Sequence, residues 1–315
     1  MPAAAQSASV AAAASRTCRM AADDERWLRQ ALTGWGVAQR RLLRVPARRV
    51  PLILTYDGRC SYTIADRARW SAVPHRGEVT LPNGARIPAG PNASNAALDK
   101  RNFVVFSLPA IWREVAPKSE IPLEHFLEAI FFHELAHALQ ASVTPSLSFP
   151  ALHSRRSLPP SVNDDSVQER FKDNAEYVRD YEAERDLLFR SAAAPTDSGA
   201  RSLACEALGK MRQRRARYFR GADAVWAEVD ELSLTTEGLG EWVGYSWLTQ
   251  LRKQPASIVL PKFRGRYWSQ EHGLAIFLVA DRLVPGWQTL LLRRERVTAG
   301  QLLARACGKQ SKTAL

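Results

Sequence analysis

The sequence predicts an α+β fold that is mainly α, with a small N-terminal β-sheet followed by a helical part. Short β-rich stretches punctuated by Pro and Gly fill residues 48–109. From residue 121 the apolar residues recur at helical spacing, and beyond 166 helical patterns dominate. At 315 residues and 46% hydrophobic, the chain can bury a sizeable core, as one large domain or two small ones.

Residues 1–21, "MPAAAQSASVAAAASRTCRMA", form an Ala-rich segment expected to be disordered. They lack the charged start and leucine-rich core of a signal peptide. Such an Ala/Ser stretch often lies between a signal and a mature domain, which favours an exported protein, periplasmic or secreted, over a cytoplasmic one. A second part, 22–120, opens with an amphipathic helix around "DERWLRQALTGWGVAQRRLL". The stretches "RRVPLILTY", "CSYTIA", "GEVTLPNGARIP" and "NFVVFSLP" then read as strands, with Asn83-Gly84 as a hairpin turn and the last stretch as a candidate edge strand. A third part, 121–315, is helical. Within it, 141–165 is Pro- and Ser-rich and long enough to be a lid. Helices are expected at about 166–193, 198–220, 222–252 and 270–293.

Several classes are argued against. No apolar run reaches the roughly 18 residues of a membrane span; "GLAIFLVA" at 273–280 ends at Asp281 and Arg282. Cys18, Cys60, Cys205 and Cys307 form no CxxC pair, so neither a thiolate zinc site nor a dense disulfide scaffold is indicated. The net charge of +12 is concentrated in arginine clusters at 39–49, 212–220 and 293–296. These raise an anionic partner, but no RNP-like motif, zinc-finger spacing or GXXG loop accompanies them, which argues against nucleic acid.

The most informative stretch is "IFFHELAHAL" at 130–139. One helical turn separates His133 from His137, so both imidazoles share a face and can share a cation. Glu134 is rotated about 100° from His133. Its carboxylate misses the ion but reaches a water beside it, which is the division of labour of a Zn2+ hydrolase. Apolar residues surround the motif on nearly every side: Leu123, Phe126, Leu127, Ile130, Phe131, Phe132, Leu135, Ala136 and Leu139. The helix is therefore expected to be buried, and a zinc ion would compensate three buried polar groups at once. Pro122 is expected in its first turn, with Ser119 or Glu120 just before it.

A catalytic zinc takes three protein ligands and leaves one position open. Two stretches compete to supply the third: "DYEAERDLLF" with Glu182 and Glu184, and "TTEGLGEWVGYSW" with Glu237 and Glu241. Glu241 lies one turn beyond Glu237, where a carboxylate can accept the outer N–H of a metal-bound imidazole.

"HELAH" followed downstream by "TEGLGEW" resembles the gluzincins, the zinc peptidases that include aminopeptidase N and thermolysin relatives. The resemblance covers only these two helices and implies a zincin-like fold. It implies His133, His137 and Glu237 as zinc ligands and Glu134 as catalytic base. The chain departs from the aminopeptidases in its longer connection between the two helices, in Thr236 before the glutamate, and in lacking a "GxMEN" signature. Gln270 stands where a tyrosine is expected, leaving His272 or Tyr267 as replacements. The expected function is a zinc-dependent metallopeptidase acting on a peptide or protein substrate. The competing expectation is a catalytically inactive, peptidase-like binding protein with a basic surface.

Overall fold

Acidic Asp23, Asp24 and Glu25 in the first turn and Arg40 and Arg41 in the last complement the dipole of the opening helix, α1 (Ala22–Arg41). The structure is a computed structural model that describes residues 18–308 apart from 49, 66–68, 99, 100, 117, 266 and 293–296. After α1 come strands β1 (Leu52–Tyr56), β2 (Cys60–Ile64), β3 (Trp70–Pro74), β4 (Glu78–Thr80), β5 (Arg86–Pro88), β6 (Ala93–Leu98) and β7 (Arg101–Ser107). Five of them form one sheet in the order β3-β2-β1-β7-β6, with β1 and β7 parallel and the other pairs antiparallel. The β4–β5 hairpin forms separately, and its turn contains Asn83 and Gly84, with Gly84 at φ +85°.

The alternation of side chains sorts this sheet into two faces. Ile53, Tyr62, Ile64, Val104 and Phe106 enter the main core, whereas Leu54, Tyr56, Phe103 and Val105 pack with Val79 and Leu81 of the hairpin. Helix α2 (Leu123–Val143) lies on the first face. Its aromatic residues explain why it is buried all round. Phe131 meets Phe106 of β7 at 5.1 Å and Trp27 of α1 at 5.9 Å, and Phe132 meets Trp247 at 4.7 Å. The main core is continuous through residues on both sides of position 120, so that boundary marks a change of secondary structure and not a break in packing.

Helices α3 (Ala175–Ala193), α4 (Asp197–Tyr218), α5 (Trp226–Ser246), α6 (Trp268–Leu283) and α7 (Ala299–Ala306) complete the helical part, with α5 running on into a π-helical turn at Trp247–Leu251. Among the described residues, no helix is long and apolar enough to cross a membrane.

Several expectations are corrected. The 102–109 stretch is an inner strand and not an edge, because Phe103, Val104, Val105 and Phe106 are buried on both faces. The edges are β6 and β3, whose "ASNAAL" and "WSAVP" give little strand signal. Residues 1–17 of the Ala-rich segment lie outside the described residues, but Cys18 and Met20 are buried, and Cys18 is disulfide-bonded to Cys60. A second disulfide joins Cys205 to Cys307. The expected helix at 166–193 is interrupted at 172–174, where the Asn174 side chain caps α3. The one expected at 270–293 stops at Leu283, before Pro285 and a left-handed Gly286. Pro122 occupies the N-cap of α2, one position before the first turn. The expected lid carries a short helix, Phe149–Arg156, capped by Ser148.

Phe131 is fully buried at the junction of sheet, α1 and α2. Phe131→Ala is expected to destabilise the protein by about 3–5 kcal/mol, the cost of a large aromatic cavity. Urea titration checks it, and a loss below about 1 kcal/mol would show that α2 does not depend on this junction.

Candidate metal centre

His133 and His137 emerge from α2 one turn apart, with their Nε2 atoms 2.8 Å from each other. Across from them α5 presents Glu237, whose Oε2 lies 3.3 Å from His133 Nε2 and whose Oε1 lies 3.1 Å from His137 Nε2. One ligand atom from each residue falls within 4.8 Å of the others. A tetrahedral zinc with bonds of about 2.1 Å spaces its donors about 3.4 Å apart, so the trio needs only a slight opening to accept the ion.

Packing of the helices sets this convergence. Glycine at 240 is required by the first histidine, because a β-carbon there would come within 2.7 Å of the His133 ring. One turn of α5 is fixed against α6 by a backbone crossing at which a β-carbon on Gly238 would meet Gly273 at 2.7 Å. From α6, Gln270 Nε2 donates to Glu237 Oε2 at 3.2 Å. Glu241 Oε1 lies 3.3 Å from His133 Nδ1, where it can accept that N–H and fix the tautomer that leaves Nε2 free for a metal.

The electrostatics match a cation site. Burial disfavours charge on every member of the trio. Against it, Glu237 and Glu241 hold the His133 pKa well above its usual value, and Glu237 raises that of His137. Burial likewise opposes ionisation of Glu237, but the two histidines hold its pKa well below the carboxylate range. Proton and divalent ion would compete for the same imidazole nitrogens.

Glu134 is buried beside the trio, and Asn95 of β6 donates from Nδ2 both to Glu134 Oε2 at 2.5 Å and to its main-chain oxygen at 2.9 Å. Half-buried Asp164, from the segment after the short helix of the expected lid, also belongs to the surroundings. Burial and the Glu237 carboxylate push its pKa up to about 7. Neither Asn95 nor Asp164 carries a signal in the sequence, since each reaches the site through tertiary packing.

The remaining site candidates lie elsewhere. Glu184 is fully buried but accepts from Arg214 Nε at 2.8 Å and does not join the trio. Glu182 is exposed, with Arg185 at 4.0 Å. His272 is fully buried, with Glu184 Oε2 at 3.9 Å and the Tyr181 ring at 4.8 Å; burial and Arg214 push its pKa down to about 3. It is a core histidine outside the trio. Tyr267 is at the N-cap of α6, three residues before Gln270.

No family model, curated protein or solved structure matches this chain.

Three variants and a proton balance test the centre. Glu237→Ala should weaken zinc binding by orders of magnitude, because two imidazoles alone remain. Glu184→Ala should keep one zinc per chain, and Glu241→Ala should weaken binding roughly 10- to 100-fold. Metal analysis of the purified variants decides, and loss of zinc from Glu184→Ala alone would move the third ligand to α3. Zinc binding should also release protons from His133 and His137, so that affinity falls as pH drops below the raised histidine pKa values. Calorimetry in buffers of differing ionisation enthalpy reads the release directly, and a buffer-independent heat would contradict it.

Proposed function

We propose that this chain is a zinc-dependent metallopeptidase of zincin-like fold and gluzincin type, hydrolysing peptide bonds. The observation that carries this reading is the buried convergence of His133, His137 and Glu237, with the Glu134 carboxylate held beside it by Asn95. Zinc held there would supply Lewis acidity, lowering the pKa of a water and polarising a carbonyl.

The chain's own groups account for the proton transfers. Glu134 accepts the proton of the attacking water and delivers it to the leaving amine. Asn95 restricts the rotation of that carboxylate, and Glu241 keeps His133 in the tautomer that binds a metal. Because β6 is an outer strand of the sheet and carries Asn95, a peptide that paired with it in extended form would pass over Glu134. Of the two replacements considered for the missing tyrosine, His272 is enclosed against Glu184, and Tyr267 stands at the N-cap of α6, three residues before Gln270.

The inactive-binding-protein alternative draws less support from the arginine cluster at 212–220 than its sequence suggests, although Arg40, Arg41, Arg44 and Arg48 of the 39–49 cluster are exposed. Arg214 is fully buried between Glu184 and Asp230, Arg215 pairs with Asp230 and Glu231, and Arg217 pairs with Glu176. The cluster at 293–296 lies outside the described residues. The two disulfides support an oxidising compartment and hence an exported protein.

Glu134→Gln is expected to keep one zinc per chain while losing turnover by a factor of at least 100, because the base is removed and the ligands remain. Hydrolysis of an unfolded protein, measured beside metal content, is the test. Wild-type activity in the mutant would end the mechanism, and zinc without hydrolysis in the wild-type chain would favour the inactive alternative.

A further inference from the structure

The third ligand is presented by α5, and the opposite side of that helix is gripped by the C-terminal helix. Residues two apart on a helix face about 200° from each other, so Thr235 points away from the side on which Glu237 meets the histidines. Thr235 Oγ1 accepts from Ala299 N at 2.9 Å while donating to Glu231 O at 2.6 Å. One turn earlier, Glu231 Oε1 accepts from Gly300 N at 2.7 Å, and its other oxygen is bound by Arg215 of α4. The first two backbone N–H groups of α7, which have no partner inside their own helix, are thus satisfied by α5. A carboxylate at this end of α7 is also favoured by its dipole. The fit is tight: a β-carbon at Gly300 would lie 2.7 Å from both Glu231 carboxylate oxygens.

The other end of α7 is fixed covalently. Cys307, its C-cap residue, is bonded to Cys205 of α4, so α4 holds α7 through a disulfide and Glu231 through Arg215. The bond spans 102 residues of sequence, including the whole of α5 and α6, which carry Glu237 and its partner Gln270.

We propose that α7 is a clasp that sets the position of Glu237 from behind, closed by the Cys205–Cys307 disulfide, with Thr235, Glu231 and Gly300 as positioning residues for the metal. This rests on the zinc-site reading of His133, His137 and Glu237. Its consequence is that zinc affinity depends on groups that do not touch the ion, through the placement of one carboxylate.

The experiment measures the zinc dissociation constant by competition with a chromophoric chelator, in the full chain at a temperature where circular dichroism shows each variant folded. Thr235→Val and Gly300→Ala are each expected to weaken zinc binding roughly tenfold or more, the scale of losing support behind a ligand. Thr235→Ser, which keeps the hydroxyl, should bind within about twofold of wild type, a rescue that general destabilisation does not produce. Cys205→Ser with Cys307→Ser should weaken binding similarly, whereas Cys18→Ser with Cys60→Ser should leave the constant unchanged. Should Thr235→Val and Gly300→Ala bind zinc as tightly as the wild-type chain, the clasp is refuted. If the wild-type chain binds no zinc at all, the metal-site reading itself falls, and the clasp falls with it.

Discussion

Helix α2 is apolar around nearly its whole circumference, and it carries two imidazoles and a carboxylate into the interior. An uncompensated buried polar group costs on the order of 2–7 kcal/mol, so three of them on one helix demand partners from everywhere around it. The surrounding architecture supplies those partners. The sheet contributes Asn95, α5 contributes Glu237 and Glu241, and α6 contributes Gln270 through its bond to Glu237. Even Glu128 on the same helix is answered, accepting from Trp247 Nε1 at 2.9 Å and Arg252 Nε at 2.8 Å.

Small residues are what make those partners reachable. Gly238 and Gly273 bring α5 and α6 to backbone contact, and Gly240 leaves room for the His133 ring. Gly34 does the same between Trp247 and Phe132, so α1 can close over α2. The aromatic residues that fill the opposite side supply the apolar burial on which this arrangement stands.

The legible parts of the sequence were those with local periodicity. Two histidines at helical spacing in an apolar frame placed His133, His137 and Glu134 on a buried helix, whereas spacing alone left the facing acid open between Glu184 and Glu237, and only the gluzincin resemblance pointed to the helix of Glu237. Strand β6 was not legible, because "ASNAAL" has neither β-branched nor aromatic residues; it is held by pairing with β7. The inner position of β7 was missed for the same reason, since its outer neighbour was invisible. Glu184 was a rival third ligand as an acid on the helix after the expected lid, and His272 a replacement for the tyrosine that the gluzincin resemblance expects at Gln270. The Glu184 carboxylate is met instead by Arg214, a residue that sequence alone assigns to a solvated basic face, while His272 lies in the core against the Tyr181 ring. Cysteine pairing was equally hidden, since Cys18 and Cys60 meet only once the N-terminal arm lies on the sheet.

The segment that follows α2 does not draw on the main core. Leu152, Val162, Val167 and Phe171 pack instead with Tyr177, Tyr181, Phe219, Val229 and Leu232 in a cluster of their own, and Arg155 and Arg156 tie its helix to Glu228. Its packing is shared with α3 and α5 and not with the histidine helix. Clusters of this kind open locally below the global free energy of unfolding, so amide exchange across residues 145–171, Asp164 among them, is expected to follow one shared opening with the histidine helix still protected. Access to the interior on this side would then be governed by the stability of a few aromatic contacts more than by the width of any permanent channel.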